Sequence, residues 1–180
     1  MPAALRTPRA RWIAEAARML GESGVDAVRV ESVAASLGVT KGGFYTHFSG
    51  RDELLDAVLD DWERRSVDDV RERVQALDAD AARNIRVAGG LTFAEDLLPV
   101  DLAVRNWARS DAAVRERLLR VDGARMDYLR EQFSTFVDDP DEVEARSILA
   151  FTFAIGRHFL AVRPEDSPAA FDRAGERILR

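Results

Sequence analysis

Residues 39–48 read VTKGGFYTHF and place a hydroxyl, an amine, a phenol and an imidazole around one short piece of chain. At helical spacing Val39, Phe44 and Phe48 form an apolar side. The other side presents Lys41, Gly42, Gly43, Tyr45, Thr46 and His47, a set of donors interleaved with gaps where backbone can approach a ligand closely. Thr40 and Lys41 at the start of a helix, with Tyr45 and His47 one turn on, suit phosphate oxygens and the edges of bases. Arg51, at the head of the following helix, adds a guanidinium in reach of a further phosphate. Lys41 is the only lysine of the chain.

Other chemistries are poorly supplied. There is no cysteine, so disulfides, thiolate nucleophiles and Cys-ligated metals are excluded. His47 and His158 are the only histidines, far apart and without His-x3-His or His-Glu-x-x-His spacing, so neither a metal nor a cofactor is expected. No glycine-rich phosphate loop and no Gly-x-Ser-x-Gly elbow is present. His158 lies on a strongly apolar helix and reads as a core or interface histidine with its hydrogen bonds satisfied. An all-helical lyase or hydrolase built on it would need a second polar group, and the flanking Gly156, Arg157, Phe159 and Leu160 offer only Arg157. No catalytic residue is assigned.

Charge is unevenly distributed. The 180 residues carry 26 basic and 32 acidic side chains, a net of −6. Residues 1–51 hold seven basic residues against four acidic ones, a net of +3, and the remainder carries −9. Such a split points to a nucleic-acid or membrane contact at one end, although a cut at a chosen point gives some imbalance in any chain. Arginine accounts for 25 of the basic residues, a bias that matches a GC-rich coding sequence better than phosphate recognition. The longest apolar run, Ile148 to Gly156, is too short to cross a bilayer. No apolar segment of a secretory signal follows Arg6, Arg9 and Arg11, so a soluble, cytoplasmic protein without a membrane partner is expected.

The elements that must position these side chains are helices. Thr7-Pro8 opens a first helix with Ile13, Ala16, Ala17 and Leu20 on one face, closed by Gly24. A second runs from Val30 to Leu37 and ends at Gly38; Thr40 caps a third through Phe48, broken by Ser49-Gly50. A long helix follows from Asp52 to Leu77, with Leu55, Leu59, Trp62, Val67, Val70, Val74 and Leu77 as its buried stripe. A turn at Asp78-Ala79-Asp80 leads into a weaker helix, Ala81–Ala88, which Gly89-Gly90 interrupts. Helices over Val100–Arg109, Ala112–Val137 and Asp141–Val162, a turn from Pro164 to Pro168 and a last helix, Ala169–Leu179, complete the pattern.

With these elements placed, residues 39–48 followed by Arg51 and Glu53-Leu54 resemble the DNA-binding domain of the tetracycline-repressor (TetR) family of transcriptional regulators. Ala16-Ala17 and Gly24 fit that family's first helix, and Val33-Ala34 with Leu37-Gly38-Val39 fit its second helix and turn. The resemblance covers about the first 55 residues closely, and beyond them it follows the helix order, with Ala103 to Arg109 similar to one subset of members. It implies an all-α chain of about nine helices. Residues 1–51 would form a three-helix helix-turn-helix DNA-binding domain, and 52–180 a helical effector-binding and dimerisation domain. It implies a homodimer on a palindromic operator in double-stranded DNA, acting as a repressor. Its contacts would come from Arg29, Thr40, Lys41, Gly42, Gly43, Tyr45, Thr46, His47 and Arg51. Three positions depart from the family's habit. Arg29 stands near a usual Ser or Thr cap, Gly43 where a side chain often reaches a base, and Arg51 in place of a Lys.

The penultimate helix is apolar around nearly its whole circumference and so needs cover on two sides. One cover is its own domain; the other is expected to be a second copy, through Leu149, Phe153, Gly156, Leu160, Phe171, Ala174 and Ile178, or else the last helix of the same chain. Family members commonly hold an effector among helices four to eight. Here Trp62, Phe93, Trp107, Met126, Tyr128 and Phe151 are candidates to line such a site for a small apolar or aromatic molecule, or else are plain core. A dimeric scaffold without DNA binding is the remaining alternative, distinguished by the absence of a basic surface at the amino end.

Overall fold

A computed structural model of the chain describes residues 7–77, 79–160 and 168–179. All regular structure among them is helical: α1 Arg9–Ser23, α2 Val30–Ser36, α3 Lys41–Phe44, α4 Arg51–Gln75, α5 Ala81–Thr92, α6 Leu98–Trp107, α7 Ala112–Phe133, α8 Pro140–Gly156 and α9 Pro168–Leu179. A single 3-10 turn, Val25–Ala27, joins α1 to α2. The fold is all-α, as the periodicity predicts.

The helices pack as two compact units, residues 1–66 with 95–118, and 67–94 with 119–180. The units are cut by packing, at places other than a functional division after Arg51. In the first, the apolar face of α1 (Trp12, Ala16, Ala17, Leu20) packs with α2, whose Val30, Val33 and Ala34 are buried, and Leu54, Leu55 and Val58 of α4 are buried in the same unit. Burying the larger of these side chains, such as Leu20 and Val33, stabilises by roughly 1.5–3 kcal/mol each. Helix α6 lies against α1 so closely that a Cβ built on Gly21 would stand 2.9 Å from the Cβ of Pro99. Trp62 of α4 is buried, and its indole N–H donates to Asp101 of α6 at 3.2 Å. Asp101 is itself completely buried and accepts a second bond from Arg105 at 2.8 Å.

In the second unit, Val70, Val74, Ala88 and Tyr128 form one apolar cluster. Ile85, Leu129, Phe133 and Val143 form another, flanked by Met126, Phe151 and Ile178. Arg130 of α7 reaches Glu144 of α8 through Nε at 2.6 Å and a terminal nitrogen at 2.9 Å, a two-pronged pair.

Several element boundaries differ from the sequence reading. Helix α5 runs through Gly89 and Gly90 to Thr92, because Asp80 caps its start and Ile85, Ala88 and Thr92 anchor one face. Helix α3 stops at Phe44, and 45–47 continue as a turn. Thr40 precedes α3 without a side-chain capping bond, and the first residue of α1 is Arg9, after an uncapped Pro8. Helices α7 and α8 end earlier than expected, at Phe133 and Gly156. Val162 and most of the turn expected from Pro164 lie outside the described residues, as does Asp78. Leu77, the predicted end of the buried stripe on α4, is exposed beyond the last turn of that helix.

Candidate nucleic-acid interface

The pair α2–α3 is built on a turn whose geometry follows from one residue. Gly38 has φ 68°, a left-handed conformation that a side chain would disfavour. Its N–H donates to Ala35 O at 3.1 Å and that of Val39 to Ala34 O at 3.0 Å, the paired bonds of a Schellman cap. The chain then reverses direction and starts α3 against α1.

Four residues are too few to hold a helix by backbone bonds alone. Phe44 supplies the anchor. It is buried, edge-on to Trp12 at 5.5 Å between ring centroids and stacked on Phe48 at 5.1 Å. Arg9 covers the outer face of Phe48, its guanidinium 4.8 Å from the ring centre. Pinned from beneath, α3 turns its other side outward.

That outward side carries most of the residues singled out from the sequence. Lys41 is 62% exposed and stands 3.4 Å from Glu31, an open ion pair worth little by itself. Its own backbone N–H first, then the Lys41 ammonium, hold the Glu31 carboxyl below its ordinary pKa. Tyr45 is 58% exposed, its ring edge resting on Phe44 at 5.3 Å. Arg29 is exposed and donates through Nε to Asp26 O at 3.1 Å. Thr40, Gly42 and Gly43 are exposed, and Thr46 donates to Gly43 O at 2.8 Å. A Cβ on Gly43 would meet only the Trp12 ring, at 3.8 Å, so the position has room for a side chain.

Two of the residues face inward in part. His47 is half-buried, with Nε2 at 2.9 Å from the Thr7 carbonyl, which ties α3 to the chain entering α1. Arg51 is half-buried and donates to Val28 O and Val25 O, both at 2.6 Å. Sequence reasoning missed this clamp, since a carbonyl acceptor leaves no signature in residue types. A second missed feature is the start of α4, where Glu53 accepts from the Ser49 N–H at 2.7 Å and its hydroxyl at 2.8 Å. Those two donors lower the Glu53 pKa, and the Ser-x3-Glu spacing was the available signal.

The residues expected around an effector are divided. Trp62 and Trp107 belong to the first unit, and Phe93, Met126, Tyr128 and Phe151 to the second. In the second unit a cavity of about 420 Å³ opens between α5, α8 and α9. Phe93 lines it; Met126 and Phe151 instead pack against the Leu129–Phe133 cluster, and Tyr128 packs with Val70 and Val74. His158 also lines the cavity, and its Nε2 is buried without a hydrogen-bond partner among the described residues, contrary to the satisfied histidine expected. Burial foremost, with Arg157 adding to it, lowers its pKa. Asp172 and Glu176 line the same cavity, carboxylates that the sequence beside His158 lacks.

Of the residues expected between copies, Leu149 and Leu160 are exposed, together with Ile148 and Phe159. Phe153 and Phe171 pack on each other at 6.2 Å, Ile178 joins the second-unit core, and Gly156 and Ala174 are half-buried. Among the described residues no helix is long and apolar enough to cross a membrane, and no group of three or more His, Asp or Glu side chains could hold a metal ion.

Residues 13–58 match the family described as bacterial regulatory proteins, tetR family. A search of the curated proteins finds no match. Among solved structures, a TetR-family transcriptional regulator from Streptomyces coelicolor superposes with a TM-score of 0.75 at 22% identity, covering 96% of this chain and 88% of that one. PfmR from Thermus thermophilus, also a TetR family transcriptional regulator, gives 0.70 at 20% identity over 97% of this chain and 96% of that one. AibR, solved with isovaleryl coenzyme A and operator DNA, gives 0.64 at 20% identity over 96% of each chain.

Proposed function

We propose that this chain is a TetR family regulator, a reading that its amino-terminal match and its fold support, and that it binds a palindromic operator as a homodimer, represses transcription there and leaves the DNA when a small molecule binds. The observation that carries the reading is the outward side of α3, where Lys41 and Tyr45 stand exposed over a floor of Trp12, Phe44 and Phe48. Lys41, Gly42 and Tyr45 approach the base edges and the nearest phosphates, with Gly43, Thr46 and His47 beside them. Arg29 and Thr40 flank them on the backbone, and Arg51 adds its remaining N–H groups while bracing the turn before α2.

A homodimer gives two such surfaces related by a two-fold axis, which suits half-sites one helical turn or a multiple apart. The exposed Ile148 and Leu149 of α8, with Phe159 and Leu160 just beyond its end, support a second copy there. Release by an effector is a shift in population. A molecule that prefers the dimer with unsuitable head spacing lowers operator affinity without touching DNA. That AibR was solved with both an acyl-coenzyme A and operator DNA supports a ligand-responsive reading.

The test is retardation of duplexes from the intergenic region beside the gene. An inverted repeat retarded by the wild-type chain, and not by a Lys41→Ala, Tyr45→Ala double variant, supports the reading. Equal retardation by both chains rejects it.

A further inference from the structure

We propose that the cavity between α5, α8 and α9 is the effector site, and that it takes a neutral, planar aromatic molecule carrying one hydroxyl group. The inference rests on the effector-responsive reading above and adds to it a place and a ligand chemistry.

The cavity's volume of about 420 Å³ falls in the lower part of the range for small-molecule sites. Its floor is made by the absence of side chains. Gly90 sits inside α5 with no atom within 4 Å of where a Cβ would be, and Gly89 and Gly175 have only ordinary contacts, at 3.8 and 3.6 Å. None of the three has a positive φ, so neither backbone conformation nor crowding calls for glycine there. A helix interior otherwise favours alanine, and a local preference set aside without a packing reason marks a surface left open for something else.

The walls are aromatic. Phe153 and Phe171 lie against each other, tilted by 42°, and Phe93 stands 5.7 Å from the His158 ring. A flat ring resting on bare glycine backbone between such walls makes good contact on its faces and edges.

Polarity then narrows the ligand. The charged residues at the lining are Arg86 and Arg157 against Asp172 and Glu176, two of each sign, all exposed, so the site has no formal preference for an ion. Of the lining side chains, His158 has a buried Nε2 without a hydrogen-bond partner among the described residues. Burial and the neighbouring Arg157 favour the neutral ring. A neutral imidazole nitrogen either donates or accepts according to tautomer, and a hydroxyl can answer both. A carboxylate answers only the donor form.

The two-histidine composition makes the test direct, because His47 serves as an internal reference for His158. The full chain, labelled with nitrogen-15, is titrated with 2-naphthol and separately with 2-naphthoate while both imidazoles are followed. 2-Naphthol is expected to move the His158 nitrogen resonances and leave those of His47 in place, with 2-naphthoate at least tenfold weaker. Gly90→Leu, which fills the floor with a good helix former, is expected to weaken 2-naphthol at least tenfold. His158→Phe, which keeps a ring beside Phe93 and removes the nitrogen, should weaken it as well and stands in if Gly90→Leu fails to fold. A silent His158, equal binding of the naphthoate, or wild-type affinity in a folded variant overturns the assignment. Operator retardation run in parallel separates the two levels. Release by 2-naphthol with His158 unmoved removes this site and keeps the effector reading. A moved His158 with DNA retention unchanged keeps the site and removes that reading.

Discussion

The Arg51 guanidinium donates to the Val28 carbonyl at 2.6 Å and, through a second nitrogen, to Val25 at the same distance. The first residue of α4 thus holds the 3-10 turn that delivers the chain into α2. A side chain expected on a phosphate is therefore also a clamp inside the domain, and α2–α3 are held to α4 by more than apolar packing.

Removing the clamp should loosen the domain before it affects recognition. Arg51→Met leaves two carbonyls without a charged donor and is expected to cost about 2 kcal/mol in urea unfolding. Arg51→Lys offers one point donor in place of a fork and should recover less than half of that loss. Unfolding midpoints equal to wild type in both variants would contradict the structural role.

A buried carboxylate secures α6. Asp101, wholly buried between the Trp62 indole and Arg105, should be intolerant of truncation. Asp101→Ala is expected to lose about 3 kcal/mol in chemical denaturation, because the buried acceptor of the Trp62 indole N–H and of Arg105 is removed. Asp101→Asn keeps an acceptor for one of the two donors and turns an amide N–H toward the other, and it should lose less than the alanine variant because the volume is kept.

The α4 cap makes a prediction in pH. The Ser49 donors hold the Glu53 pKa below the ordinary glutamate value of 4.5. Its contribution to stability is therefore full above the unfolded-state value and fades as pH falls through the lower folded value. Glu53→Gln should be less stable than wild type at pH 7, and the gap should narrow on acidification below that range. A gap that is constant with pH would contradict an ionised cap.

How far the residues announced this architecture depends on what each one contacts. Phe44 and Phe48 were legible as the floor of α3, because an apolar pair at helical spacing in a short polar segment has to be packed, and both are buried. Gly38 was legible as a stop because a glycine after a helical stripe takes up a left-handed turn without steric cost, and its φ is 68°. Gly89-Gly90 misled, since the Asp80 cap and the Ile85 face outweigh two poor helix formers. Arg51 and Asp101 were opaque. The first is held by backbone carbonyls, and the second by a tryptophan 39 positions away. His158 looked like core, and only the geometry of α5, α8 and α9 leaves its Nε2 unpartnered.

The exposed face of α8 should behave as a seam. Leu149 is 55% exposed. Leu149→Glu is expected to convert a dimer at micromolar concentration to a monomer in light scattering, with its helical content intact. A wild-type chain that is monomeric at the same concentration would contradict the two-fold arrangement.

The central claim is that the outward side of α3 holds DNA, and salt-dependent operator affinity tests it most directly. Lys41→Ala should weaken binding and reduce the slope of log affinity against log salt by about 1 per protomer, the mark of a lost phosphate contact. Tyr45→Ala, exposed and without effect on folding beyond about 0.5 kcal/mol, should weaken binding too. Wild-type affinity and an unchanged slope in both variants would show that DNA, if bound at all, lies elsewhere.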